Sequence, residues 1–289
     1  MFDYLLTFTM IQFSAYIFLT AQVLVFIKAD PLKGEQIFQA DPQDFPFVVS
    51  FRQKMLEGLL DSEHFCTGSL ITQIHVITAA HCFEERIESE IEAIIVGEYW
   101  IRPYVDHGID YWLIYDSWAR ENGKAIEMPL NDIAIAKLSS PANREHITPV
   151  SLTNLNNKQL YGTKAMIIGW KAINEDSLTM VLLQGKVTIL CPSKYERLLK
   201  LVANRIIKLN KIYLATFTAP YILASCGDSG GPLLDNNHFL LGVTRSTCPI
   251  SRWGNFSEEF INQYKINLHS SVHYYSDFIE NVTSLSKEQ

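Results

Sequence analysis

The residues that could do chemistry lie first in the stretch from Ser225 to Leu233, which reads Ser-Cys-Gly-Asp-Ser-Gly-Gly-Pro-Leu. Glycines on both sides of Ser229 allow backbone conformations that a Cβ excludes, so the amides of Gly227 and Ser229 can converge on one point. Converging amides stabilise the negative oxygen that develops in acyl transfer. A serine hydroxyl alone is a weak nucleophile, so this chemistry also requires a histidine base and a carboxylate that orients it.

Two upstream stretches supply these groups. Residues 77–82 read Ile-Thr-Ala-Ala-His-Cys, and residues 131–138 read Asn-Asp-Ile-Ala-Ile-Ala-Lys-Leu. Asp132 precedes an alternating apolar run, so it stands at the start of a strand with a fixed direction, which suits a buried orienting group. In the order His81, Asp132, Ser229, the three stretches resemble the chymotrypsin-like, or trypsin-fold, serine peptidases. The resemblance extends to residues 45–50, to Gly169-Trp170 and to residues 272–279.

The resemblance assigns a role to each of these residues. Ser229 is the expected nucleophile, His81 the general base and later the acid, and Asp132 the group that holds the imidazole tautomer. The amides of Gly227 and Ser229 are the expected oxyanion hole. No metal or organic cofactor is expected. Histidines outside the matching motifs are expected to be structural: His64, His75, His107, His146, His238, His269 and His273.

The fold class expected is all-β. Short runs rich in β-branched and aromatic residues alternate with polar turns from Phe45 onward, which favours a barrel or a sandwich. The resemblance selects two six-stranded antiparallel β-barrels with a short C-terminal helix, and the catalytic residues in the cleft between them. We expect the peptidase domain over residues 37–289, with barrels at about 37–148 and 149–289.

The N-terminal residues read as a targeting segment. Residues 4–27 form an uncharged run of 24 residues before Lys28-Ala29-Asp30. Residues 1–29 are therefore expected to be a signal peptide cleaved after Ala29, or else a signal anchor that remains in the membrane. Residues 30–36 read as a short tether or possible propeptide. Either way the domain would face an oxidising, extracellular compartment.

The net charge of the chain limits the classes of molecule that it is expected to bind. The chain has 289 residues and a formal net charge of −7, which argues against nucleic acid as the main partner. The expected partners are a protein or peptide substrate and protease inhibitors, with membrane association only if the leader is uncleaved. The protein is expected to be a monomer. Asn255 and Asn281 begin glycosylation sequons.

The five cysteines suit an extracellular protein. The resemblance implies two disulfides, Cys66–Cys82 beside the histidine segment and Cys226–Cys248 beside the serine loop. Cys191 is left without its usual family partner, so we expect it to be a buried free thiol, the alternative being a disulfide with another molecule.

The sequence departs from the family pattern at the activation step. In active members, the carboxylate at the position of Asp228 pairs with an α-amino group made when a propeptide is cut. The amine usually belongs to an isoleucine after an arginine or lysine, but here Ile37 follows Gln36, and the nearest basic residue is Lys33, ahead of Gly34. Spacing favours Gly34 and residue type favours Ile37.

The oxyanion turn and the specificity pocket depart as well. Cys226 meets Gly227 directly, one residue shorter than the usual turn. The expected pocket floor is Ala224 or Leu223, with Ser225 beside it, so no carboxylate awaits a basic side chain and an apolar P1 residue is expected. The pocket wall contains Ser246 and places Arg245 where the family keeps a small serine.

Two functions follow from these residues. The first is a secreted serine endopeptidase that cleaves peptide bonds through an acyl-enzyme on Ser229 and is not trypsin-like in P1 preference. The alternative is a homologue that keeps the fold, turns over peptides poorly or not at all, and acts by binding. The complete set of His81, Asp132 and Ser229 favours the enzyme, whereas the departures favour the alternative.

Overall fold

The structure is a computed structural model that describes residues 32–54, 63–84, 86–99, 106–126, 131–172, 180–203, 206–247 and 264–285. The described part begins with two short strands, β1 (Lys33–Gly34) and β2 (Ile37–Gln39). Neither belongs to the first barrel, because β2 pairs with a strand of the second barrel and β1 with a strand in the loop before Ser229.

Six strands close the first antiparallel barrel, in the order β3-β4-β5-β8-β7-β6. Buried apolar residues from these strands form the core of the barrel, and the densest run is in β6, where Ile91, Ala93, Ile94 and Ile95 are all buried. The strands are β3 (Val48–Gln53), β4 (Glu63–Leu70), β5 (His75–Thr78), β6 (Ile91–Ile95), β7 (Asp106–Ile114) and β8 (Ala134–Leu138).

The second barrel is also six-stranded and antiparallel, in the closed order β11-β15-β14-β13-β9-β10, with β2 added at the edge of β10. These two barrels and the C-terminal helix confirm the expected fold class. The second-barrel strands are β9 (Lys164–Ala172), β10 (Met180–Ile189), β11 (Tyr213–Phe217), β13 (Pro232–Leu234), β14 (Leu240–Thr247) and β15 (Asn267–Ser271), while β12 (Ile222–Leu223) pairs with β1.

Five α-helices lie outside the barrels of the described structure: α1 (Val96–Tyr99), α2 (Tyr115–Glu121), α3 (Asn157–Leu160), α4 (Pro192–Ala203) and α5 (Ser276–Leu285). The C-terminal helix α5 packs on α2, which directly follows β7 of the first barrel, with the Trp118 and Phe278 ring centroids 5.4 Å apart. Because α5 follows β15 of the second barrel, the C-terminal segment of the chain links the two barrels. None of the helices that the structure describes has the length and apolar character needed to cross a membrane.

Candidate active site

His81 and Asp132 come together at the first-barrel side of the cleft. His81 lies on a 3-10 helix, Ala80–Phe83, directly after β5, and Asp132 lies just before β8, the neighbour of β5 in the barrel. His81 Nδ1 is 2.9 Å from Asp132 Oδ2 and 3.1 Å from Oδ1, and the His81 amide donates to Oδ1 at 3.0 Å. The carboxylate can accept but not donate, so the imidazole carries its proton on Nδ1 and leaves Nε2 available as a base.

The backbone around Asp132 is held from the second barrel. Ser270 of β15 donates its hydroxyl to the Asp132 carbonyl at 2.8 Å. The neighbouring Asn131 accepts the Tyr275 hydroxyl at 2.9 Å and donates to Asp116 at 2.6 Å. With its side chain only 7% exposed, Asp132 is a buried orienting carboxylate, as its place at a strand start indicated.

Ser229 lies on a tight turn between β12 and β13, across from His81. Its carbonyl accepts the Thr67 amide at 2.8 Å, and the amide of Gly230 donates to Thr244 at 2.7 Å. The Ser229 hydroxyl donates to the Arg245 carbonyl at 3.3 Å. Within the described residues Ser229 forms no hydrogen bond with His81, so nucleophile and base face the same cleft without being joined.

The oxyanion turn is anchored through the carbonyl of Gly227. Gly227 has a φ of 93°, a conformation that side chains with a Cβ rarely adopt. Its carbonyl accepts the Thr67 hydroxyl at 2.7 Å and lies 3.1 Å from His64 Nε2. In the part of the chain that the structure covers, no hydrogen bond uses the Gly227 or Ser229 amide.

A chain of buried polar groups supports this anchor from the first barrel. Arg52 Nε donates to Ser50 Oγ at 3.1 Å, and Ser50 Oγ is 2.8 Å from His64 Nδ1. Burial first, and then the charge of Arg52, lowers the pKa of His64 to about 3. His64 therefore stays neutral and donates from Nε2 to Gly227. Sequence reasoning treated His64 as structural and missed this contact, because it joins residues 163 positions apart.

Asp228 points away from the cleft, into the second barrel. It is 1% exposed, and its Oδ2 accepts the Ser225 amide at 2.8 Å. A Cβ on Gly169 would overlap this carboxylate and would lie 3.1 Å from Leu32 Cγ. Leu32 is buried, and both Leu32 and Asp228 pack against Gly169, whereas Gly34 is exposed and pairs with Ile222. The assignment of the activation amine to Gly34 or Ile37 stays a prediction.

The electrostatics of the pair favour a charged histidine. Burial acts to lower the pKa of His81, but the hydrogen bond and charge of Asp132, with a contribution from Glu84, raise it above its usual value. Burial acts to raise the pKa of Asp132, and the hydrogen bonds and charge of His81, together with Arg245, lower it below its usual value. Asp132 is therefore ionised and stabilises an imidazolium on His81.

Arg245 is the unusual member of the site. Its Nε is 3.4 Å from Asp132 Oδ2, the same oxygen that faces His81 Nδ1, and its Nη1 donates to the Tyr213 hydroxyl at 2.7 Å. It lines a cavity of about 360 Å³ together with His81, Asp132 and Ser229; Ala80, Glu84, Ile114, Asp116 and Asn131 complete the lining. The sequence placed Arg245 in the pocket wall, and the structure brings its side chain onto the carboxylate.

The expected pocket floor contains a residue that the sequence analysis missed. Ala224 and Leu223 are buried, and Ser225 is half-buried beside them. Asn267 of β15 is fully buried, accepts the Ala224 amide at 2.9 Å and donates to the Ile222 carbonyl at 2.8 Å. A polar amide group therefore lies against the expected apolar floor. Ser246 lies on β14 opposite Leu268.

One of the two expected disulfides is present. Cys66 and Cys82 are joined and tie β4 to the His81 helix. Both sulfur atoms are used in this bond, so their closeness to His81 does not make a thiolate metal site. Cys226 is an exposed free thiol in the structure and Cys248 lies outside the described residues, so the second disulfide stays a prediction.

Cys191 is free, as expected, but it is partly exposed rather than buried. It lies just before α4, with its sulfur 3.3 Å from Ser193 Oγ.

Of the two glycosylation sequons, the structure describes only the one that begins at Asn281. Asn281 lies in α5, where its side-chain oxygen accepts the Trp118 indole N–H at 2.8 Å. Asn255 lies outside the described residues.

A buried carboxylate that orients a histidine opposite a glycine-flanked serine, between two antiparallel barrels, defines the class of two-barrel serine peptidases. Comparison with known families agrees. The profile described as Trypsin matches residues 36–279, and the chain belongs to this family of serine-type peptidases, whose substrates are proteins.

The individual relatives share only a minority of their residues with this chain. The chain is 30% identical over 216 residues to the serine proteinase stubble of Drosophila melanogaster, a match that covers 69% of this chain and 26% of that protein. It is 26% identical over 261 residues to transmembrane protease serine 11C of Mus musculus, covering 85% and 52%. The chain thus spans about a quarter to a half of these relatives. The VesB protease of Vibrio cholerae has the same fold, with a TM-score of 0.58 at 19% identity over 87% of this chain and 68% of that one.

Proposed function

We propose that the protein is a serine endopeptidase that hydrolyses peptide bonds through an acyl-enzyme on Ser229. The observation that carries the proposal is the His81–Asp132 pair, with Nδ1 2.9 Å from a buried carboxylate oxygen and Nε2 left available. This arrangement supports general-base catalysis beside a serine.

In the proposed reaction, Ser229 Oγ bonds to the substrate carbonyl carbon while its proton passes to His81 Nε2. The carbonyl electron pair moves to the oxygen, which the amides of Gly227 and Ser229 would bind. Collapse of this intermediate breaks the C–N bond, and the leaving amine takes the proton from His81. Water then attacks the acyl carbon while His81 Nε2 takes its proton, and collapse breaks the ester bond to Ser229 Oγ, which regains the proton from His81 as the acid product leaves. To start this sequence, the Ser229 hydroxyl must turn from the Arg245 carbonyl toward His81.

The proposal includes activation by cleavage. The burial of Leu32 against Gly169, where Asp228 also packs, supports Leu32 as the residue whose new α-amino group would pair with that carboxylate, after a cut before Leu32. Leu32 thus becomes a third candidate beside Gly34 and Ile37. N-terminal sequencing of the active protein tests it, since a first residue other than Leu32 contradicts this assignment.

The proposed substrate is a protein or peptide with a small or apolar P1 residue. The buried floor residues Ala224 and Leu223 carry no charge, and the Asn267 side chain takes up volume against them. Both features work against a long basic side chain. We further propose that the protein is a secreted, glycosylated monomer that protease inhibitors can block.

A second function is favoured by a specific observation. The Ser229 hydroxyl rests on the Arg245 carbonyl at 3.3 Å, and the Arg245 guanidinium shares the Asp132 carboxylate with His81. Both contacts compete with those that catalysis needs. A non-catalytic homologue that binds a partner protein through the same cleft would keep these contacts permanently.

Labelling by a fluorophosphonate separates the two functions. The secreted protein is treated with the probe and the labelled residue is identified by peptide mass mapping. The enzyme predicts label on Ser229, loss of label in Ser229→Ala, and normal labelling in Ser139→Ala, an exposed serine after β8. Label that persists in Ser229→Ala contradicts the proposed nucleophile. A correctly processed protein that takes no label at any pH supports the binding function instead.

A further inference from the structure

Arg245 competes with His81 for one oxygen atom. Asp132 Oδ2 is 2.9 Å from His81 Nδ1 and 3.4 Å from Arg245 Nε. The carboxylate is 7% exposed while the arginine side chain is 30% exposed, so the contact is partly sheltered from water and salt. A carboxylate that neutralises a fixed guanidinium has less charge left to stabilise an imidazolium.

The position of the guanidinium is defined on its other side. Arg245 Nη1 donates to the Tyr213 hydroxyl at 2.7 Å, and the guanidinium carbon lies 5.3 Å from the centre of the Tyr213 ring. Burial acts first to raise the pKa of Tyr213, so this tyrosine stays neutral and accepts the hydrogen bond. The arginine is thus held between a neutral oxygen of β11 and the carboxylate.

We propose that Arg245 is a positioning residue whose guanidinium shares the Asp132 carboxylate with His81 and so opposes the protonation of His81 during the reaction. Its effect on rate rests on the proposed function, but the pairing itself can be measured without a substrate. The Arg245 guanidinium touches neither a reacting atom nor, by this proposal, the substrate; it acts through Asp132, while the backbone carbonyl of Arg245 accepts the Ser229 hydroxyl in every variant.

The direction of the effect follows from the charges around the imidazole. Asp132 and Glu84 raise the pKa of His81, while burial and Arg245 lower it. Removing the charge of Arg245 therefore raises the basicity of His81. Other titratable groups lie around His81, Asp132 and Arg245 and remain in every variant. Glu84 after the His81 helix and Asp116 of α2 line the same cavity, Tyr213 of β11 bonds to Arg245, and Tyr275 before α5 bonds to Asn131 beside Asp132.

We therefore expect the pH–rate curves of the wild type and of Arg245→Gln to cross. A more basic His81 is protonated over a wider pH range, so Arg245→Gln should react more slowly than the wild type on the acid side. On the alkaline plateau the stronger base and the unshared carboxylate should make it react severalfold faster. A merely structural role for Arg245 would lower the rate at every pH and produce no crossing.

The test uses the full secreted protein, with NMR titration of the His81 imidazole beside fluorophosphonate labelling rates across pH. His81→Ala identifies the His81 signal. Arg245→Gln removes the charge but keeps an amide donor for Asp132, Arg245→Met removes both, and Arg245→Lys keeps a charge. Arg120→Gln, an exposed arginine of α2, controls for the loss of one positive charge elsewhere.

We expect the His81 titration to move to higher pH in Arg245→Gln and Arg245→Met, less in Arg245→Lys and not in Arg120→Gln. An unchanged titration in both uncharged variants overturns the proposal, as does an equal shift in Arg245→Lys. If Arg245→Met does not fold, Arg245→Gln carries the test. If the correctly processed wild type takes no label, the proposed peptidase function fails, while the NMR titration still decides the role of Arg245.

Discussion

Gly169 offers the sharpest test of how the second barrel positions the serine turn. Replacing it with alanine places a Cβ onto the Asp228 carboxylate, 2.8 Å from its Cγ and 3.1 Å from Leu32 Cγ. Asp228 is 1% exposed and Leu32 is 4% exposed, so neither has room to withdraw. Overpacking of this kind costs about 1–3 kcal/mol of folding free energy. The Asp228 carboxylate must then move, and the 2.8 Å hydrogen bond that it accepts from the Ser225 amide must lengthen or break.

The expected effect on reactivity exceeds the effect on stability. Asp228 lies between Gly227 and Ser229, so its displacement moves the two amides proposed to bind the oxyanion. Loss of one such donor reduces rate by about 10²–10³. A stability loss of about 1–3 kcal/mol from a typical 5–15 kcal/mol leaves the protein folded at 25 °C. A reduced labelling rate in folded Gly169→Ala would therefore report on geometry.

Gly123→Ala is the matched control. Gly123 has a φ of +62°, and nothing lies within 4 Å of the added Cβ, so the cost there is backbone strain alone, about 1–2 kcal/mol. The assay is the rate of fluorophosphonate labelling at 25 °C, with urea unfolding to measure stability. We expect comparable losses of stability and a large loss of labelling only in Gly169→Ala. Wild-type labelling in Gly169→Ala, or an equal loss in Gly123→Ala, would refute the reasoning.

Three further outcomes are expected. Burial lowers the pKa of His269 to about 3, so this histidine is protonated below about pH 6.5 in the unfolded chain but only near pH 3 in the folded chain. The contribution of neutral His269 to the free energy of unfolding is therefore complete above pH 6.5 and falls by about 1.4 kcal/mol per pH unit as the pH is lowered. His269→Gln should reduce this slope in urea unfolding between pH 7 and 5, and an unchanged slope would contradict the burial. Asn267→Gly should deepen the floor at Ala224 and raise the kcat/KM ratio of large to small P1 residues about tenfold or more in peptide-library profiling; an unchanged ratio would place the floor elsewhere. Replacing Cys66 and Cys82 by alanine should lower the free energy of unfolding by about 3 kcal/mol, because the disulfide closes a loop of 16 residues. An unchanged urea midpoint would argue against this stabilising role of the disulfide.

The sequence was informative wherever chemistry depends on local conformation. Asp132 lies just before β8, at the point where polar residues give way to an alternating apolar run. That change of pattern is visible in the sequence and predicts the start of a strand. The glycines around Ser229 mark a turn for the same local reason, and Gly227 indeed has a positive φ. The pairing of Cys66 with Cys82 followed from resemblance and is present.

The sequence was least informative about the surroundings of Asp228. Spacing favoured Gly34 and residue type favoured Ile37, whereas the structure packs Leu32 and Asp228 against Gly169 and pairs Lys33 and Gly34 with β12. A backbone pairing between strands about 190 residues apart has no signature in either short segment. The same limitation applies to Asn267, whose hydrogen bond with the Ala224 amide forms only once β15 is placed against that segment.

Strand periodicity in the sequence determined the all-β class, because it is a property of short segments, and the resemblance carried by the motifs around His81, Asp132 and Ser229 selected two barrels and the expected catalytic residues. Only the tertiary structure decided how these residues are held. It directs the Arg245 guanidinium onto Asp132, the Ser229 hydroxyl onto a carbonyl and His64 onto Gly227. The physical reason is that such contacts depend on side-chain rotamers and on the packing of separate strands, and a buried charge is placed by its partners rather than by its neighbours in the chain.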